Sequence, residues 1–219
     1  MRRDLVSSLI AVVAVTVLFG LVYPLVMTGA GQVLFGDAAN GSKIERDGET
    51  VGSSLIGQNY ERSLLGPKGE PMLGPAGNPR TEPDPAYFQG RPSVTGNDPS
   101  VTYFNNLGPN SKSLVRMFEK NLAAYLSMNE PYSPGLVAAD VPNDAVQTSA
   151  SGVDPHISPE NAAIQAHRIA ALRDAPLERI SELVEEHTDG RSLGVLGEPG
   201  VNVLELNLAL EEEFPADDS

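Results

Sequence analysis

The chain has 219 residues, and its 29 Asp and Glu against 15 Lys and Arg give a formal net charge of −14 at pH 7. A surface this acidic repels nucleic acid and anionic lipid headgroups, so both are poor candidates for electrostatic partners, and we expect the chain to meet membrane lipid but no nucleic acid. The chain has no cysteine, so disulfides, a thiol nucleophile and a lipid-modified cysteine anchor are excluded as well.

The first predicted element is an apolar segment near the amino terminus. No charged side chain lies between Asp4 and Asp37, and the range 5–27 is almost wholly apolar. At about 1.5 Å per residue this range spans about 35 Å as a helix, enough to cross a hydrocarbon core of about 30 Å. A cleaved signal peptide also starts with basic residues, but its apolar region is usually about 7–15 residues long. Pro24 is compatible with both alternatives, and we expect a retained transmembrane helix.

The distribution of basic residues predicts the orientation of this helix. Arg2 and Arg3 precede it, whereas the first lysine after it is Lys43. By the positive-inside rule, residues 1–4 are cytoplasmic, the helix crosses the cell membrane once, and residues 28–219 form an extracytoplasmic domain. That domain is long enough to build its own core without disulfides.

Short strands and turns are predicted next. Residues 43–46 and 50–56 flank Asp47 and Gly48, a dipeptide favoured in tight hairpin turns. The range 64–85 contains six prolines and four glycines, so we predict an irregular loop there rather than a helix or a strand. The prediction includes no internal repeat.

Two helices are predicted after this loop. The first runs from Asn110 or Ser111 to Met128, because its apolar residues recur at three- and four-residue steps. The second begins after Ser158, a favourable cap followed by a proline at the first helical position. The predicted apolar side of the second helix comprises Ala163, Ile164, Ala170 and Ala171.

The carboxyl-terminal part is predicted as one further helix and a strand. The helix starts near Pro176, includes His187 on its apolar face and is capped by Gly190. Residues 201–208 alternate partially between apolar and polar, which favours a strand. The predicted fold is therefore a single N-terminal transmembrane helix followed by an α+β extracytoplasmic domain.

The sequence gives little support for an independent enzyme. It has no GxxxxGK phosphate loop, and His156, His167 and His187 do not have the HExxH spacing of a zinc site. A histidine on an apolar helix face, such as His187, is more often a packing residue than a ligand. We therefore expect no catalytic residue, no metal site and no cofactor bound by this chain.

Several short segments rich in Gly, Pro, Asn and charged residues are candidate interaction motifs. On the residues alone, tight turns and helix caps explain them better than a binding site. The candidate interaction residues are Gly90, Arg91, Pro92, Ser93, Asn106, Gly108, Pro109, Asp154, Pro155, His156, His187, Arg191, Glu198 and Asn202.

Taken in chain order, these segments resemble the family of C subunits of the Kdp potassium-transporting ATPase, the KdpC family. The resemblance includes the amino-terminal apolar segment. It also rests on the segments 87–93, 106–111, 151–159, 165–170, 187–191, 196–199 and 201–207. The chain departs from the family pattern at 64–84, which looks like an insertion in a usually shorter loop, and at 100–105.

The resemblance implies a non-catalytic accessory subunit of a high-affinity, ATP-driven potassium uptake pump. Its role would be the assembly and stability of a complex with a channel-like A subunit, a P-type ATPase B subunit and a small F subunit. The family is also described as a catalytic chaperone that raises the ATP affinity of the B subunit, so ATP would be met through the complex. That role conflicts with the predicted topology, because cytoplasmic ATP lies across the membrane from the domain.

Two alternatives stay open at this point. One is a nucleotide-binding regulator that acts directly on the ATPase, which requires an ATP site on the soluble domain. The other is an exported solute-binding domain whose amino-terminal apolar segment is a cleaved leader.

Overall fold

The computed structural model describes residues 1–101, 103 and 106–216. The chain divides after Ser53 into two compact units, which are described separately. The first unit contains the apolar helix, one short helix and one hairpin. The second unit contains all the other helices and strands of the described residues.

The apolar segment forms one continuous helix, Arg2–Leu34, with a mean hydropathy of 2.7 in its most apolar window. It consists of α1 (Arg2–Val17), a π-helical turn (Leu18–Val22) and α2 (Tyr23–Leu34). None of its side chains is buried. A helix that is apolar on all sides matches a membrane span, and the prediction of one such helix is confirmed.

Pro24 does not end this helix. Proline has no N–H, and its ring collides with the carbonyl four residues earlier, which here belongs to Gly20. The helix widens into the π-helical turn at this point, where the Tyr23 N–H donates to the Leu18 carbonyl. The wider turn accommodates the ring, so the helix continues past its predicted end at Met27.

The rest of the first unit is a short helix and the predicted hairpin. Helix α3 (Gly36–Ala39) precedes β1 (Lys43–Arg46) and β2 (Glu49–Ser53), which pair antiparallel. Asp47 and Gly48 have φ values of 54° and 82°, as a type I′ turn requires at both central residues. The hairpin prediction is confirmed, with a second strand shorter than expected.

The second unit opens with a hairpin that contradicts the predicted loop. Strands β3 (Glu61–Ser63) and β4 (Thr81–Pro83) pair antiparallel, and an ion pair of 2.8 Å joins Arg62 to Glu82 across them. The end of the range 64–85 is therefore a strand. Its prolines are tolerated because a two-stranded ladder leaves one edge of each strand unpaired.

The segment between these strands contains an internal repeat that the sequence prediction missed. Residues 65–72 read Leu-Gly-Pro-Lys-Gly-Glu-Pro-Met, and residues 73–80 read Leu-Gly-Pro-Ala-Gly-Asn-Pro-Arg. Each copy closes with an isolated bridge, from Leu65 to Pro71 in the first copy and between the matching residues of the second. The segment is thus two copies of one turn rather than an irregular loop.

The two copies share their hydrogen bonds as well as their sequence. In the first copy the Gly69 N–H donates to the Gly66 carbonyl at 3.0 Å, and the Gly66 N–H donates to the Glu70 carbonyl at 2.7 Å. Gly69 has a φ of 80°, and its counterpart Gly77 has a φ of 81°. A turn with proline at its second position followed by a left-handed glycine is a common tight hairpin connection.

The first helix of the second unit follows its prediction closely. Helix α4 (Lys112–Asn129) is capped by Ser111, whose side chain accepts an N–H of the first turn. Two 3₁₀ turns (Glu130–Tyr132 and Ala138–Asp140) and the one-turn helix α5 (Asn143–Val146) then lead toward the next long helix.

Helix α6 (Pro159–Leu172) has the predicted cap but a different buried face. The Ser158 side chain accepts from an N–H of the first turn, as expected. Ala163 and Ala171, which were predicted on the apolar side, are exposed. The buried residues of α6 are instead Asn161, Ala162, Gln165, Ala166, Arg168 and Ile169. The prediction was wrong because it counted only apolar residues, and half of this face is polar.

Helix α7 (Leu177–Glu186) begins after Pro176, as predicted. It ends at His187, whose φ is −104°, and not at Gly190. The His187 Nδ1 atom lies 2.8 Å from the Leu183 carbonyl oxygen, so the ring packs against the last turn of the helix. The buried residues of α7 are Ile180, Leu183 and Val184.

The strand predicted over 201–208 is mostly wrong. Only β7 (Gly200–Asn202) is extended, and helix α8 (Val203–Glu213) follows at once. The Asn202 side chain accepts from the Glu205 N–H at 3.2 Å and so caps the helix. The apolar residues of this run also recur at helical steps, and the N-cap asparagine favours that alternative.

A three-stranded sheet and the long helices enclose the core of the second unit. The sheet has the order β5 (His156–Ile157), β7, β6 (Thr188–Asp189), and both pairings are antiparallel. The buried core residues are Phe88, Ile157, Ala162, Ala166, Ile169, Ile180, Leu183, Val184, Val201, Val203, Leu206 and Leu210. A mixed helix and sheet domain follows the apolar helix in the sequence, which confirms the predicted fold class.

Candidate functional site

The small sheet brings together candidate motifs that are far apart in the sequence. The pairing of β5 with β7 places His156 opposite Asn202. The pairing of β6 with β7 places Asp189 opposite Gly200. The outer strands therefore present a histidine and a carboxylate on either side of a central glycine.

Gly200 lets the His156 side chain lie across the central strand. A Cβ atom at position 200 would lie 3.3 Å from the His156 Cβ and 3.5 Å from its ring atoms. The imidazole Nε2 is 3.5 Å from Asp189 Oδ2, and Nδ1 is 3.8 Å from Asp154 Oδ1. The His156 ring therefore lies between two carboxylates and reaches from β5 across β7 to β6.

Arg91 extends this row of charges. Its Nη1 atom donates to Asp154 Oδ2 at 3.0 Å, and the two side chains are 24% and 28% exposed. The other carboxylate oxygen of Asp154 accepts a hydrogen bond from the backbone N–H of His156 at 3.0 Å. Partial burial shields this pair from solvent, so it is stronger than an exposed ion pair. The predicted Gly90–Ser93 and Asp154–His156 motifs thus meet at one carboxylate.

These side chains line a charged groove of about 430 Å³. Asp144 and Glu198 add two further carboxylates to its wall. Glu198 pairs with Arg191 at 2.7 Å, which brings two more of the predicted residues to the edge of the groove. Within the described residues, no group of three or more His, Asp or Glu is placed to hold a metal ion. The groove is a charge-pairing surface without the geometry of a metal centre.

Arg91 also lines a second cavity, of about 240 Å³, which we call the polar cavity. Eight carboxamide side chains line it: Gln58, Asn59, Gln89, Asn97, Asn121, Asn129, Asn161 and Gln165. Two guanidinium groups, of Arg91 and Arg168, line it as well. The Glu61 carboxylate lines it too, so the cavity is rich in hydrogen-bonding groups and its wall carries charges of both signs.

Arg168 carries a fully buried charge, and its hydrogen bonds run to neutral acceptors. Its side chain donates to the carbonyls of Pro85 and Tyr87, each at 2.8 Å, and to the side chains of Asn129 and Gln165. Burial lowers the pKa of Arg168 to about 10, so the group still carries its charge at neutral pH. The guanidinium thereby fixes the segment around Tyr87 against α6.

Gln165 and Asn161 complete this buried network. Gln165 accepts from the Gln89 N–H at 2.8 Å and donates to the Gln89 carbonyl at 3.0 Å. Asn161 accepts from the Tyr125 hydroxyl at 2.9 Å and donates to Asp144 at 2.9 Å. Burial raises the pKa of Tyr125, so this hydroxyl stays a donor at neutral pH. The network holds the chain just before Gly90 and so positions Arg91.

The remaining predicted residues of the Gly90–Ser93 motif also contact the Asp154 region. The Ser93 hydroxyl donates to the Gly152 carbonyl at 2.6 Å, and the Ser149 N–H donates to the Pro92 carbonyl at 2.9 Å. The Pro155 carbonyl accepts the Val203 N–H at 3.0 Å, which ties this region to α8.

Other predicted residues lie away from the charged groove. Asn106 and Pro109 line a separate groove beside α4, and the Gly108 carbonyl accepts the Ser111 N–H before that helix. Asn202 donates to the Ser54 carbonyl at 2.9 Å in addition to capping α8.

Several residues that the structure brings into these two sites were not predicted from the sequence. Asp189, Asn161, Gln165 and Arg168 were not among the candidates. For the last three, the signal was the spacing of polar residues at helical steps along a buried face. For Asp189 the sequence held no local signal, because this residue joins the site only through the pairing of β6 with β7.

The string from Gly190 to Gly194 has the spacing of a G-x-S-x-G nucleophile motif, which the sequence analysis also missed. That motif acts where a strand turns sharply into a helix. Here Ser192 instead pairs with Leu196 in a bridge, and the chain continues into the loop before β7. The local geometry is that of a hairpin turn and not of a nucleophile elbow.

The fold and these sites define a class of protein: a membrane-associated chain with one apolar helix and an α+β domain built for polar contacts. The model of the family described as "KdpC: K+-transporting ATPase, c chain" matches residues 5–212. The chain belongs to the KdpC family, which confirms the resemblance and agrees with the expectation of a subunit in potassium transport.

Similar proteins cover nearly the whole chain. A "Potassium-transporting ATPase KdpC subunit" of Streptomyces avermitilis is 43% identical over 219 aligned residues, covering 96% of this chain and 94% of that protein. The protein of the same name from Koribacter versatilis is 41% identical, with 98% and 97% covered. That of Mycobacterium tuberculosis H37Rv is 40% identical, with 96% and 99% covered.

Proposed function

We propose that this chain is a non-catalytic accessory subunit of a potassium-transporting ATPase, required for assembly and stability of the complex. The observation that carries the proposal is the family match over residues 5–212, which spans both the apolar helix and the α+β domain. The partners we propose are a channel-like A subunit, a P-type ATPase B subunit and a small F subunit. The charged groove and the polar cavity offer surfaces for such contacts.

The apolar helix would anchor the chain by packing against partner helices in the membrane. Every side chain of this helix is unburied, so its contacts are available to lipid and to other subunits. Ser7, Ser8, Thr16 and Gly20 are small or polar residues of the kind found at helix–helix contacts in lipid.

The experiment that tests this role deletes residues 5–27 from a chain co-expressed with the other subunits. We expect the deleted chain to lose co-purification with the complex. A chain whose helix is replaced by an unrelated apolar helix of equal length is the matched control, because it keeps membrane attachment but loses specific packing. Normal assembly without any apolar helix would contradict the anchoring role.

We further propose that residues 1–4 are cytoplasmic and that the α+β domain is extracytoplasmic, with the helix retained as an anchor. Arg2 and Arg3 at the start of the helix support this orientation. A cysteine at the exposed position Ser113 would be the only cysteine of the chain. Labelling of Ser113→Cys by an impermeant thiol reagent in intact cells is expected. Labelling only after the membrane is opened would reverse the topology.

The catalytic-chaperone role implied by the resemblance is the second candidate. It is favoured by one observation, the guanidinium group of Arg91 in the polar cavity, whose Nε atom has no hydrogen-bond partner among the described residues and could meet a phosphate of a nucleotide. The cavity volume of about 240 Å³ is below the roughly 300–1,000 Å³ of pockets that enclose a ligand of that size. Equilibrium binding of millimolar ATP to the full chain tests this role, and absence of binding would exclude a nucleotide site on this subunit.

A further inference from the structure

The turn between β6 and β7 forms a tight hairpin that carries apolar side chains at its apex. Ser192 and Leu196 exchange two backbone hydrogen bonds, of 2.8 and 2.9 Å. The apex residues Leu193 and Gly194 have φ values of 55° and 77°. At the base, the Arg191 guanidinium pairs with the Glu198 carboxylate at 2.7 Å. We call residues 191–198 the apical hairpin.

The apical hairpin exposes more apolar surface than its fold requires. Leu193 is 91% exposed, Val195 is 74% exposed and Leu196 is 59% exposed. Leu193 also occupies the left-handed region, which leucine adopts with strain and which asparagine or glycine adopts readily. In water, an asparagine at position 193 would suit both the backbone and the solvent better. The leucine is therefore suited to a state in which the apex is covered.

Charge and composition indicate what covers it. The ion pair of Arg191 and Glu198 leaves the hairpin with no net charge, whereas the whole chain carries −14. Two copies of so acidic a chain repel each other, which disfavours self-association through this apex. Loops that enter a lipid interface are typically anchored by Trp, Tyr, Lys or Arg near the apex. The Arg191 guanidinium at the base is held by Glu198, no such residue lies between Ser192 and Gly197, and the chain has no Trp.

We propose that the apical hairpin inserts Leu193 into an apolar recess of another subunit of the same transport complex. This inference rests on the proposed function, since it names that complex as the source of the partner. The charged groove lies at the base of the hairpin, because Glu198 belongs to both. Insertion of the apex would therefore bring the partner surface next to the groove, where the exposed carboxylate of Asp189 can pair with a basic residue of that subunit.

The first experiment substitutes Leu193→Asn in the full chain, co-expressed with the other subunits. Burial of a leucine side chain accounts for about tenfold or more in affinity, so we expect at least a tenfold weaker association with the complex. The melting temperature of the variant chain alone should be unchanged or higher, because asparagine tolerates the left-handed backbone. A loss of association together with a lower melting temperature would overturn the proposal, because it would indicate damaged folding.

The matched control is Leu73→Asn, at an equally apolar and 63% exposed position in the repeat hairpin. We expect this variant to assemble like the wild type. Wild-type chain that fails to co-purify with the other subunits would contradict the proposed function itself. Wild-type chain that co-purifies, with Leu193→Asn equal to it, would overturn the apical contact alone.

The second experiment separates a protein partner from a lipid surface. A solvent-sensitive fluorophore on Ser192→Cys, the single thiol of the chain, reports the polarity beside Leu193. The labelled full chain is placed in vesicles of phosphatidylcholine with and without phosphatidylglycerol, alone or together with the partner subunits. A blue shift that requires the partner subunits supports the proposal. An equal blue shift in vesicles alone would assign the apex to lipid and overturn it.

Discussion

Helices α6 and α7 pack side by side in one domain, yet they bury different chemistry. The buried face of α7 is aliphatic, with Ile180, Leu183 and Val184. The buried face of α6 alternates small apolar residues with amides and the Arg168 guanidinium. Apolar burial is non-directional and tolerates small shifts, whereas a buried polar face is stable only when every group finds its partner. We infer that α7 stabilises the domain by apolar burial alone, whereas α6 both stabilises the domain and fixes the position of the chain before Arg91.

The largest effect expected from this comparison is that of Arg168→Met. The substitution keeps an unbranched side chain but leaves the acceptors at Pro85, Tyr87, Asn129 and Gln165 without their donor. Several buried acceptors lose a partner, each at about 1–3 kcal/mol, so we expect a destabilisation of roughly 3–5 kcal/mol. Urea unfolding followed by near-UV circular dichroism of the tyrosines measures it.

Arg168→Lys is the matched control for charge. Lysine keeps the charge but cannot reproduce the planar fork, so we expect it to recover only part of the lost stability. If Arg168→Met unfolds at the same urea concentration as the wild type, the polar face of α6 is not what holds the segment around Tyr87.

The second effect is that of Leu183→Ala on the apolar face of α7. Leu183 is 3% exposed, and its truncation removes buried methyl groups and leaves a cavity. We expect a loss of about 2–4 kcal/mol in the free energy of unfolding. Labelling of a cysteine introduced at Ser93, beside Arg91, should keep its wild-type rate under native conditions. A changed rate would show that α7 also positions the site.

The third-largest effect is that of Gln165→Ala, which tests whether α6 fixes the position of the chain before Arg91. Gln165 makes a reciprocal pair of hydrogen bonds with the Gln89 backbone, at 2.8 and 3.0 Å. Loss of these bonds in a buried site should cost about 1–3 kcal/mol. Unlike Leu183→Ala, it should also accelerate labelling at Ser93→Cys, because the chain before Arg91 is released. If Ser93→Cys is labelled at the same rate in both variants, α6 does not position the chain before Arg91 more than α7 does.

The same contrast explains what the sequence could and could not predict. The start and the aliphatic face of helix α7 and the caps Ser111 and Ser158 follow from local patterns, and they were predicted correctly, whereas the predicted end of α7 at Gly190 was wrong. The buried face of α6 was not, because periodicity was scored on apolar residues and Arg168 is buried only through distant carbonyl partners. Such partners belong to segments about 80 positions away, and no local pattern contains them.

Sites that depend on the register of paired strands could not be predicted from the sequence either. The Arg91 and Asp154 motifs were recognised as segments, but their meeting with Asp189 depends on three strands of two or three residues. The run 201–208 fits both a strand and a helix, and the cap at Asn202 decides for the helix. The glycine–proline repeat was readable in the sequence itself and was overlooked because its period is only eight residues.

The smallest effect concerns the carboxyl-terminal end of α6, where Arg173 pairs with Glu211 of α8. Burial alone would raise the pKa of Glu211, but hydrogen bonds from Arg173 and Tyr87 outweigh it and hold the pKa below its usual value. A depressed pKa stabilises the fold above the unfolded-state pKa of about 4.3, and this stabilisation is lost as the pH falls through the folded-state pKa.

We therefore expect Glu211→Gln to lower stability at pH 7 by only about 1 kcal/mol, because glutamine keeps an acceptor and Arg173 also donates to the carbonyls of Ala86 and Phe214. Below the folded-state pKa of Glu211 the variant and the wild type should converge, because the wild-type carboxyl is then neutral as well. Urea midpoints measured between pH 7 and pH 3 test this convergence. A constant difference over the whole range would mean that Glu211 contributes through packing, and that the polar end of α6 behaves like the apolar face of α7.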